Sequence, residues 1–347
     1  MFNLCNNRIM KKISLLFLCL LAGYFSYAQD VHFTQFTSGI DWLNPAASGA
    51  LSPVTANVIY RDQWGGIGDF YQSSYASGQF RLSDAKGKKG FSAAGVMVLN
   101  DRAGTARLNT LNAGLTYAYH VRLGAKQTLG AGVYAGYLQR SFGDAGLQWG
   151  SQYDGMAYNN TLPGESTGNL RRSMMDFGAG LCWTWKSSES YMTANNQRMF
   201  RLGGGVWHLA APNIGFDGND AVARRYSFHG DALIGISNTP LALLPAVLFQ
   251  YQQTGELVVG SLIRYTVKEA SRYTGFVSSS SVAVGAYWRN RDAVAIAAQL
   301  QWSNYSLGLS YDANISSLSN STNGRGGFEV TFRYTGGKSI GGKTPIL

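Results

Sequence analysis

Hydrophobic and polar residues alternate along most of the chain. In 111–123 the odd positions are apolar or aromatic, from Leu111 to Leu123, and the even positions are small or polar. The same period of two recurs in 129–137 and in 257–267. This alternation predicts β-strands with one apolar face and one polar face.

We count fourteen segments of this kind. They lie near 54–64, 73–82, 90–100, 106–123, 127–142, 173–187, 198–210, 226–237, 241–252, 255–268, 275–290, 292–302, 303–313 and 325–336. An even number of strands is typical of bacterial outer-membrane barrels, whose outer loops are longer than their periplasmic turns. With the N-terminus in the periplasm, the three longest connections, at 143–172, 211–225 and 314–324, all fall on the outer side.

Two all-β architectures fit the alternation, a soluble sandwich and a membrane barrel. Charged residues make up only 14% of the chain, which also has 43 Gly and 20 Tyr. Soluble domains contain about 25% charged residues and about 7% glycine. The segments are also near the length of about 9–11 residues that a tilted strand needs to cross a bilayer. We therefore predict a transmembrane antiparallel β-barrel of about 14 strands over 51–336.

The first 28 residues resemble a secretory signal peptide. Three basic residues come before an apolar run at 13–25, and Ser26 and Ala28 stand at positions −3 and −1 of the predicted cleavage site. Cleavage leaves 26 basic and 19 acidic residues, a net charge of +7, and a single cysteine, Cys182. The exported chain therefore forms no intrachain disulfide. Residues 337–347 are predicted to be a periplasmic tail.

The segment 29–50 lies between the signal peptide and the first strand, and it lacks a clean period of two. We predict that it plugs the lumen or caps the periplasmic mouth of the barrel, the alternative being a partly ordered tail. Within it, Asn44 and Pro45 are predicted to fix a turn before the first strand.

Two motifs match enzyme signatures in letters but not in context. Residues 337–344 fit the phosphate-loop pattern G-x4-G-K-[ST], yet only three residues follow, so no helix can begin there. Residues 164–168 fit G-x-S-x-G, but they lie in a long polar loop where no strand–turn–helix is predicted. The four histidines lack metal-ligand spacing. We therefore predict no enzyme activity, no metal and no cofactor.

Two arginine pairs stand at strand ends beside two predicted outer loops. They are Arg171 with Arg172, and Arg224 with Arg225. We predict that they bind an acidic partner or lipopolysaccharide phosphates, the alternative being that they only keep the loops soluble. The net charge of +7 does not indicate a nucleic-acid partner in this compartment.

Six short motifs follow one another along the chain. They are Q-F at 35–36, L-N-P-A-A-S-G at 43–49, Y-R-D-Q-W at 60–64 with G-I-G at 66–68, W-H-L-A-A-P-N at 207–213, R-R-Y-S-F-H-G at 224–230 and G-F-E-V-T-F-R-Y at 327–334. In this order they resemble the PorP/SprF family of outer-membrane proteins, which is associated with type IX secretion and gliding. The loop 143–172 and the tail 335–347 match no motif of the family.

The resemblance implies a barrel related to the fatty-acid-transporter (FadL-like) type, which also has fourteen strands. It implies a non-enzymatic outer-membrane protein that binds or anchors a secreted adhesin through the adhesin's type IX C-terminal domain. It further implies a periplasmic peptidoglycan-binding lipoprotein as a partner, in addition to outer-membrane lipid. The alternative function is transport of hydrophobic small molecules, which predicts an apolar internal pocket and a lateral opening.

The motifs also supply candidate site residues. The candidates for partner binding at the outer end of the first strand are Arg61, Asp62, Gln63 and Trp64. The alternative is a bracket within the barrel, in which Arg61 pairs with an acid in the lumen and Trp64 lies at the lipid interface. The structural signature further includes Pro212, Asn213 and His208, and we predict that His208 hydrogen-bonds a neighbouring loop.

Overall fold

The computed structural model describes most of the mature chain. The described residues are 30–63, 71–83, 89–104, 106–142, 148–164, 171–187, 195–216, 220–268, 279–316 and 324–337. The predicted signal peptide at 1–28, Trp64 and residues 338–347 of the tail lie outside them. The boundaries proposed for the signal peptide and the tail stay predictions.

Fourteen antiparallel strands form one closed barrel. The strands are β1 Val54–Gln63, β2 Tyr71–Ser83, β3 Gly90–Ala103, β4 Leu108–Arg122, β5 Gln127–Ser141, β6 Arg171–Ser187, β7 Arg198–Trp207, β8 Arg225–Gly235, β9 Leu241–Gln252, β10 Thr254–Lys268, β11 Ser280–Arg289, β12 Ala293–Trp302, β13 Tyr305–Asn314 and β14 Arg325–Gly336. Each strand pairs with its neighbours in the chain, and β1 pairs with β14 from Val54↔Gly336 to Gln63↔Gly327. Closure leaves no free sheet edge in the lipid, where an unpaired backbone group would be costly. The predicted fold is confirmed.

No helix among the described residues is long and apolar enough to cross a bilayer. The α-helix α1, Ile40–Leu43, and the 3-10 helix Pro45–Ala47 both come before β1. A second 3-10 helix, Gly150–Gln152, lies between β5 and β6.

Strand alternation divides the barrel wall into an apolar outside and a mixed inside. Leu115, Val133 and Ile296 point outward and are more than half exposed without lipid. Their neighbours Thr116, Tyr134 and Ala297 point inward and are buried. The outward face matches the lipid-facing band of an outer-membrane barrel.

The segment 31–52, which we call the plug, lies inside the barrel. Its apolar side chains Phe33, Phe36 and Trp42 are buried against inward residues of the wall such as Tyr75 and Trp207. Of the alternatives that the sequence left open for this segment, the structure therefore shows the plug.

Glycines in β5, β6 and β7 make room for the plug. A side chain at Gly132 would collide with Ala46, one at Gly180 with Asn44, and one at Gly205 with the Leu43 carbonyl. The small residues of the alternating pattern therefore mark the wall where the plug backbone approaches most closely.

The plug descends through the barrel from one end to the other. Thr34 contacts the ends of the strands from which the long loops leave, whereas Gly49 contacts Arg81 near the opposite end. We call the end with the long loops the outer rim and the opposite end the inner rim, because long loops face outward in such barrels. The described chain thus begins near the outer rim, whereas the strand count alone had placed the N-terminal segment on the periplasmic side.

Asn44 and Pro45 form the predicted turn. The Asn44 side chain accepts a hydrogen bond from the Ala46 N–H at 2.9 Å and caps the 3-10 helix that Pro45 begins. The Asn44 amide also donates to the Leu181 carbonyl of β6 at 2.8 Å. The turn is therefore both a local cap and an anchor of the plug.

Most strand limits agree with the predicted ones within a few residues. β7 was predicted to extend to residue 210 but ends at Trp207, because His208 has a φ of 56° and Ala211 a φ of 45°. These left-handed conformations turn the chain out of the sheet. The predicted start of the eleventh strand at 275 lies outside the described residues, and β11 is described from Ser280.

Candidate functional site

A cluster of charged residues, which we call the outer clamp, holds the upper end of the plug. Arg61 of β1 donates to Asp312 of β13 at 2.6 Å and to Glu329 of β14 at 3.0 Å. Glu329 also accepts hydrogen bonds from the backbone N–H groups of Thr34 and Gln35, both at 2.8 Å. The plug backbone is thus bound to Glu329 of β14 by charge-assisted hydrogen bonds, and Arg61 of β1 and Asp312 of β13 hold the Thr34 hydroxyl beside it.

Arg289 of β11 extends the outer clamp toward the rim. Its guanidinium lies 3.1 Å from Asp312, 2.8 Å from Asp292 and 3.2 Å from Glu256. It also donates to the Thr34 hydroxyl at 2.9 Å. Two arginines therefore pair with four carboxylates in a cluster that is largely shielded from water. Buried charges are tolerated only when they are paired in this way.

Arg61 is consequently not a surface residue. Its side chain is only 1% exposed and pairs with Asp312 and Glu329, so the interpretation of Arg61 as part of a partner-docking lip is wrong, and Arg61 pairs with acids in the lumen as the alternative predicted. The physical reason is strand parity, because Arg61 faces the lumen. The other half of that alternative, Trp64 at the lipid interface, lies outside the described residues. Asp62 and Gln63 are half-buried at the end of β1, and Gln72 contacts Asp62 at 3.5 Å.

A second group of contacts holds the middle of the plug. Arg225 of β8 donates to the Trp42 carbonyl at 2.8 Å, and its guanidinium lies 4.1 Å from the centre of the Trp42 ring. Trp207 donates to the Leu43 carbonyl at 3.0 Å, and the Ser227 hydroxyl donates to the same oxygen. The cation–π contact and these hydrogen bonds fix α1 against β7 and β8.

Arg225 also differs from its predicted role. It is 1% exposed and contacts the plug, so it does not reach an acidic partner or lipid phosphates at the outer surface. The cause is again parity, because Arg225, Ser227 and His229 share the inward face of β8.

The three other candidate arginines remain at the outer rim. Arg171, Arg172 and Arg224 are exposed, and they donate to Gln139, to the Phe216 carbonyl and to the Leu209 carbonyl at 2.7, 3.4 and 3.2 Å. They lie around the connection that follows β7 and the start of β6. Their role in binding a partner stays a proposal.

The signature residues after β7 form a folded outer loop. His208 is buried, and its Nδ1 lies 2.9 Å from a carboxylate oxygen of Asp176 on β6. The Pro212 carbonyl accepts a hydrogen bond from the Val222 N–H at 2.9 Å, and Asn213 forms an isolated bridge with Ala221. These contacts are structural and fold the loop back on itself.

The long outer connection contains an ordered hairpin at 148–164, which we call the outer hairpin. Tyr153 bridges Tyr158, and Asp154 accepts hydrogen bonds from the N–H groups of Met156 and Ala157, both at 2.9 Å. These two hydrogen bonds stabilise the charged carboxylate and lower the pKa of Asp154, and the bond from Ala157 has the larger effect. At its tip Met156 is 94% exposed.

The described residues bind the plug and the outer loops to the barrel wall. They contain no cluster of three or more His, Cys, Asp or Glu side chains that could hold a metal ion. The residues that the sequence analysis missed are the acids of the outer clamp, Asp312, Glu329 and Glu256. The sequence did contain a signal for Glu329. It stands between Phe328 and Val330 in the alternating pattern of β14, and the polar positions of that pattern face the lumen.

Comparison with known proteins identifies the family. The family described as "Type IX secretion system membrane protein PorP/SprF" matches residues 25–334. The chain belongs to the PorP/SprF family. It is therefore a secretion-associated barrel of the outer membrane. The match extends from before the plug into β14, so the plug, β1 to β13 and most of β14 lie within the PorP/SprF region. No curated protein sequence matches the chain.

Solved barrel structures resemble this PorP/SprF protein only distantly. The CymD monoaromatic hydrocarbon channel is 10% identical, with 89% of this chain and 95% of that chain covered and a TM-score of 0.45. A FadL homologue of Pseudomonas aeruginosa is 11% identical, with coverages of 84% and 92% and a TM-score of 0.42. BamA of Haemophilus ducreyi is 10% identical, with coverages of 82% and 70% and a TM-score of 0.41. The assignment of the fold accordingly rests on the strand pairing.

Proposed function

We propose that this PorP/SprF barrel binds or anchors a secreted surface adhesin at its outer rim, through the adhesin's type IX C-terminal domain. On the periplasmic side it contacts a peptidoglycan-binding lipoprotein, as the family resemblance implies. The barrel then serves as a fixed point in the outer membrane between the two partners, and no reaction is required of it.

The filled lumen is the observation that carries this proposal. The plug is fastened near the outer rim by Glu329, in the middle by Arg225 and near the inner rim by Arg81. Opening a route for solute would break buried charge-assisted bonds at several levels, and each costs about 1.5–3 kcal/mol. Function at the rims requires no such opening.

The outer hairpin supports binding of a protein at the outer rim. Tyr153, Met156 and Tyr158 are exposed on a loop whose backbone is already ordered by hydrogen bonds. Aromatic residues are frequent anchors of interfaces, and Met adapts to irregular surfaces. An ordered loop also loses less entropy on binding. The nearby Arg171 and Arg172 are proposed to add charged contacts.

The test removes the anchors and keeps the hairpin. In cells, Tyr153→Ser, Met156→Ser and Tyr158→Ser would be combined, with Asn160→Ala in the same hairpin as the matched control. We expect less adhesin on the cell surface and less adhesin co-purifying with a C-terminally tagged barrel, measured by flow cytometry and mass spectrometry. Unchanged display and co-purification in the triple variant, with the barrel present at its usual level, would contradict the proposal.

One feature favours transport of hydrophobic small molecules as a second candidate. The β8–β9 ladder pairs Asp231 with Ala246 and resumes at Ile234 with Leu243, so it is interrupted beside Pro245, which has no N–H to donate. Leu244 and Leu248 face the lumen on this strand. Uptake of a labelled fatty acid that falls on deletion of the gene, with adhesin display unchanged, would favour transport over anchoring.

A further inference from the structure

The barrel wall has a step in height at the outer end of β6. β6 pairs with β5 as far as Arg171, but it pairs with β7 only over 179–187. β7 ends at Trp207, and β8 begins directly opposite that residue, at Arg225. Within the described part of the chain, the outer portion of β6 at 171–178 therefore has a neighbouring strand on one side only.

Alternate residues in this portion of β6 direct their backbone groups away from β5. The Phe177 carbonyl accepts a hydrogen bond at 3.0 Å from the N–H of Leu209, which follows β7. Since every second residue of a strand directs its N–H and C=O groups to the same side, Arg171, Ser173 and Met175 direct theirs to the side that β7 does not reach. None of the described residues bonds to these groups. We call 171–176 the free edge.

The described part of the loop after β7 lies against the inward face of the β5–β6 extension. Asp220 of this loop accepts a hydrogen bond from Arg140 at 2.9 Å, and the ring centre of Phe216 lies 4.8 Å from that of Phe142. Arg172 donates to the Phe216 carbonyl at 3.4 Å. Because Arg140 and Arg172 share the parity of the inward residues of their strands, these contacts leave the free edge open.

The free edge carries exposed apolar and basic side chains. Met174 and Met175 are 47% and 55% exposed, and Arg171 is exposed as well. The charge of Arg171 places this end of β6 outside the hydrocarbon of the membrane. Arg171 donates to the side-chain oxygen of Gln139, and Arg172 donates to a backbone carbonyl, so both cations bond to neutral oxygens. The edge therefore attracts an acidic partner.

An extended strand is the occupant that fits the free edge. A strand repeats its N–H and C=O groups about every 6.8 Å, twice the rise per residue, and this repeat matches the free groups of the edge. Lipid headgroups have no such repeat. A second barrel in the same membrane is disfavoured, because its β6 would run in the same direction. The two strands would then pair in parallel and place Arg171 of one copy beside Arg171 of the other.

We propose that the free edge of β6 binds an extended acidic segment of the secreted protein by strand addition. The inference rests on the proposed function and deepens it, because it names the surface and the backbone chemistry of binding. Main-chain hydrogen bonds supply affinity in this mode, and side chains at alternate positions supply specificity. Met175 and Arg171 both have outward parity, so they would provide an apolar contact and a salt bridge. The outer hairpin belongs to the connection between β5 and β6, so one partner can contact both.

The experiment uses the full-length barrel purified in detergent. The probe is a short fluorescent peptide that alternates threonine and valine and carries two glutamates at one end, and its binding is followed by anisotropy. Ser173→Pro removes an N–H on the open side without breaking a bond to β5, whereas the matched control Ser173→Ala keeps that N–H. We expect the affinity to fall at least about tenfold in Ser173→Pro and to stay unchanged in Ser173→Ala.

A second pair of variants leaves the backbone groups intact. Arg171→Glu reverses the outward cation of the free edge, and the matched control Arg102→Glu reverses an exposed cation at the outer end of β3. We expect the peptide to bind Arg171→Glu at least about threefold more weakly and to bind Arg102→Glu like wild type. Heat-modifiable migration on gels establishes that each variant is folded.

Three results would overturn the proposal. They are equal peptide affinity of folded Ser173→Pro and Ser173→Ala, equal affinity for a peptide of the same composition with alternate backbone nitrogens methylated, and a dimer of barrels that Ser173→Pro dissociates, because the occupant would then be a second copy.

Adhesin display on cells separates this inference from the proposed function. If the outer-hairpin variant loses display while Ser173→Pro changes neither display nor peptide binding, only the free-edge inference fails. If Ser173→Pro loses peptide binding while display is unchanged in both variants, the proposed function fails and the free edge still binds strands.

Discussion

Removing the carboxylate of Glu329 should raise the population in which the whole plug leaves its docked position while the barrel stays closed. Glu329 is fully buried and accepts three hydrogen bonds, from Arg61 at 3.0 Å and from the N–H groups of Thr34 and Gln35 at 2.8 Å. Breaking a buried ion pair by removing one partner costs about 3–5 kcal/mol. Glu329→Ala should therefore raise the population with an undocked plug about 100-fold to several thousand-fold, since about 1.4 kcal/mol is a factor of ten.

The mature chain provides its own probe for this opening. Cys182 is the only cysteine after the predicted signal peptide, and it is buried in the lumen among the residues that pack around the plug. A water-soluble thiol reagent should modify Cys182 only through the open population, so the labelling rate reports the opening equilibrium. Glu329→Gln should give a smaller increase than Glu329→Ala, because the amide oxygen can still accept one N–H.

The control is Asp101→Asn, which alters a carboxylate on the barrel wall that accepts a hydrogen bond from Ser73 of β2. Its labelling rate should match wild type. If Glu329→Ala, shown to be folded by heat-modifiable migration, labels Cys182 no faster than wild type, the plug is not fastened by this carboxylate and the reasoning fails.

Three further predictions concern the lipid face, the plug turn and the outer hairpin. Val133→Asp places a charge on the lipid face at a cost below the roughly 2–4 kcal/mol of a Lys or Arg at mid-bilayer, so the amount of heat-modifiable folded barrel should fall, whereas Val133→Leu should retain it. Asn44→Ala removes the Ala46 cap and the bond to Leu181, so Cys182 labelling should accelerate, with no change in gel migration. Asp154→Ala should speed proteolysis within 148–164. In wild type the folded hairpin lowers the pKa of Asp154, so its hydrogen bonds stabilise the turn at any pH above the ordinary carboxylate pKa. That stabilisation should be lost as the pH falls through the lowered pKa of the folded state.

The strands could be predicted because alternation is local. β9 was predicted at 241–252 and is found at Leu241–Gln252. The fate of the plug could not be predicted in this way, because its buried position depends on glycines and carboxylates far along the chain. Arg61 meets Glu329, which is 268 residues away, and nothing near Arg61 indicates its partner. The strand count predicted the number of strands correctly but not the end of the lumen at which the plug begins.

Some site residues were misplaced although a signal was present. Arg225 was interpreted from its position beside a loop, but it has the same parity as Ser227 and His229 and the opposite parity to Tyr226 and Phe228. Strand parity therefore indicates that the Arg225 side chain faces the lumen. The outer hairpin could be recognised as a long loop, but its internal bonds, such as those of Asp154, depend on a backbone conformation that alternation does not predict.

The outer clamp lies at the seam where the barrel closes. Arg61 of β1 and Glu329 of β14 are directly opposite each other in the β1–β14 register, and both hold the plug. The last strand to be synthesised therefore carries the group that fastens the first residues of the plug. A chain that stops before β14 lacks both the seam and the clamp. The upper end of the plug can therefore be secured in this way only after β14 has been added and β1 has paired with it.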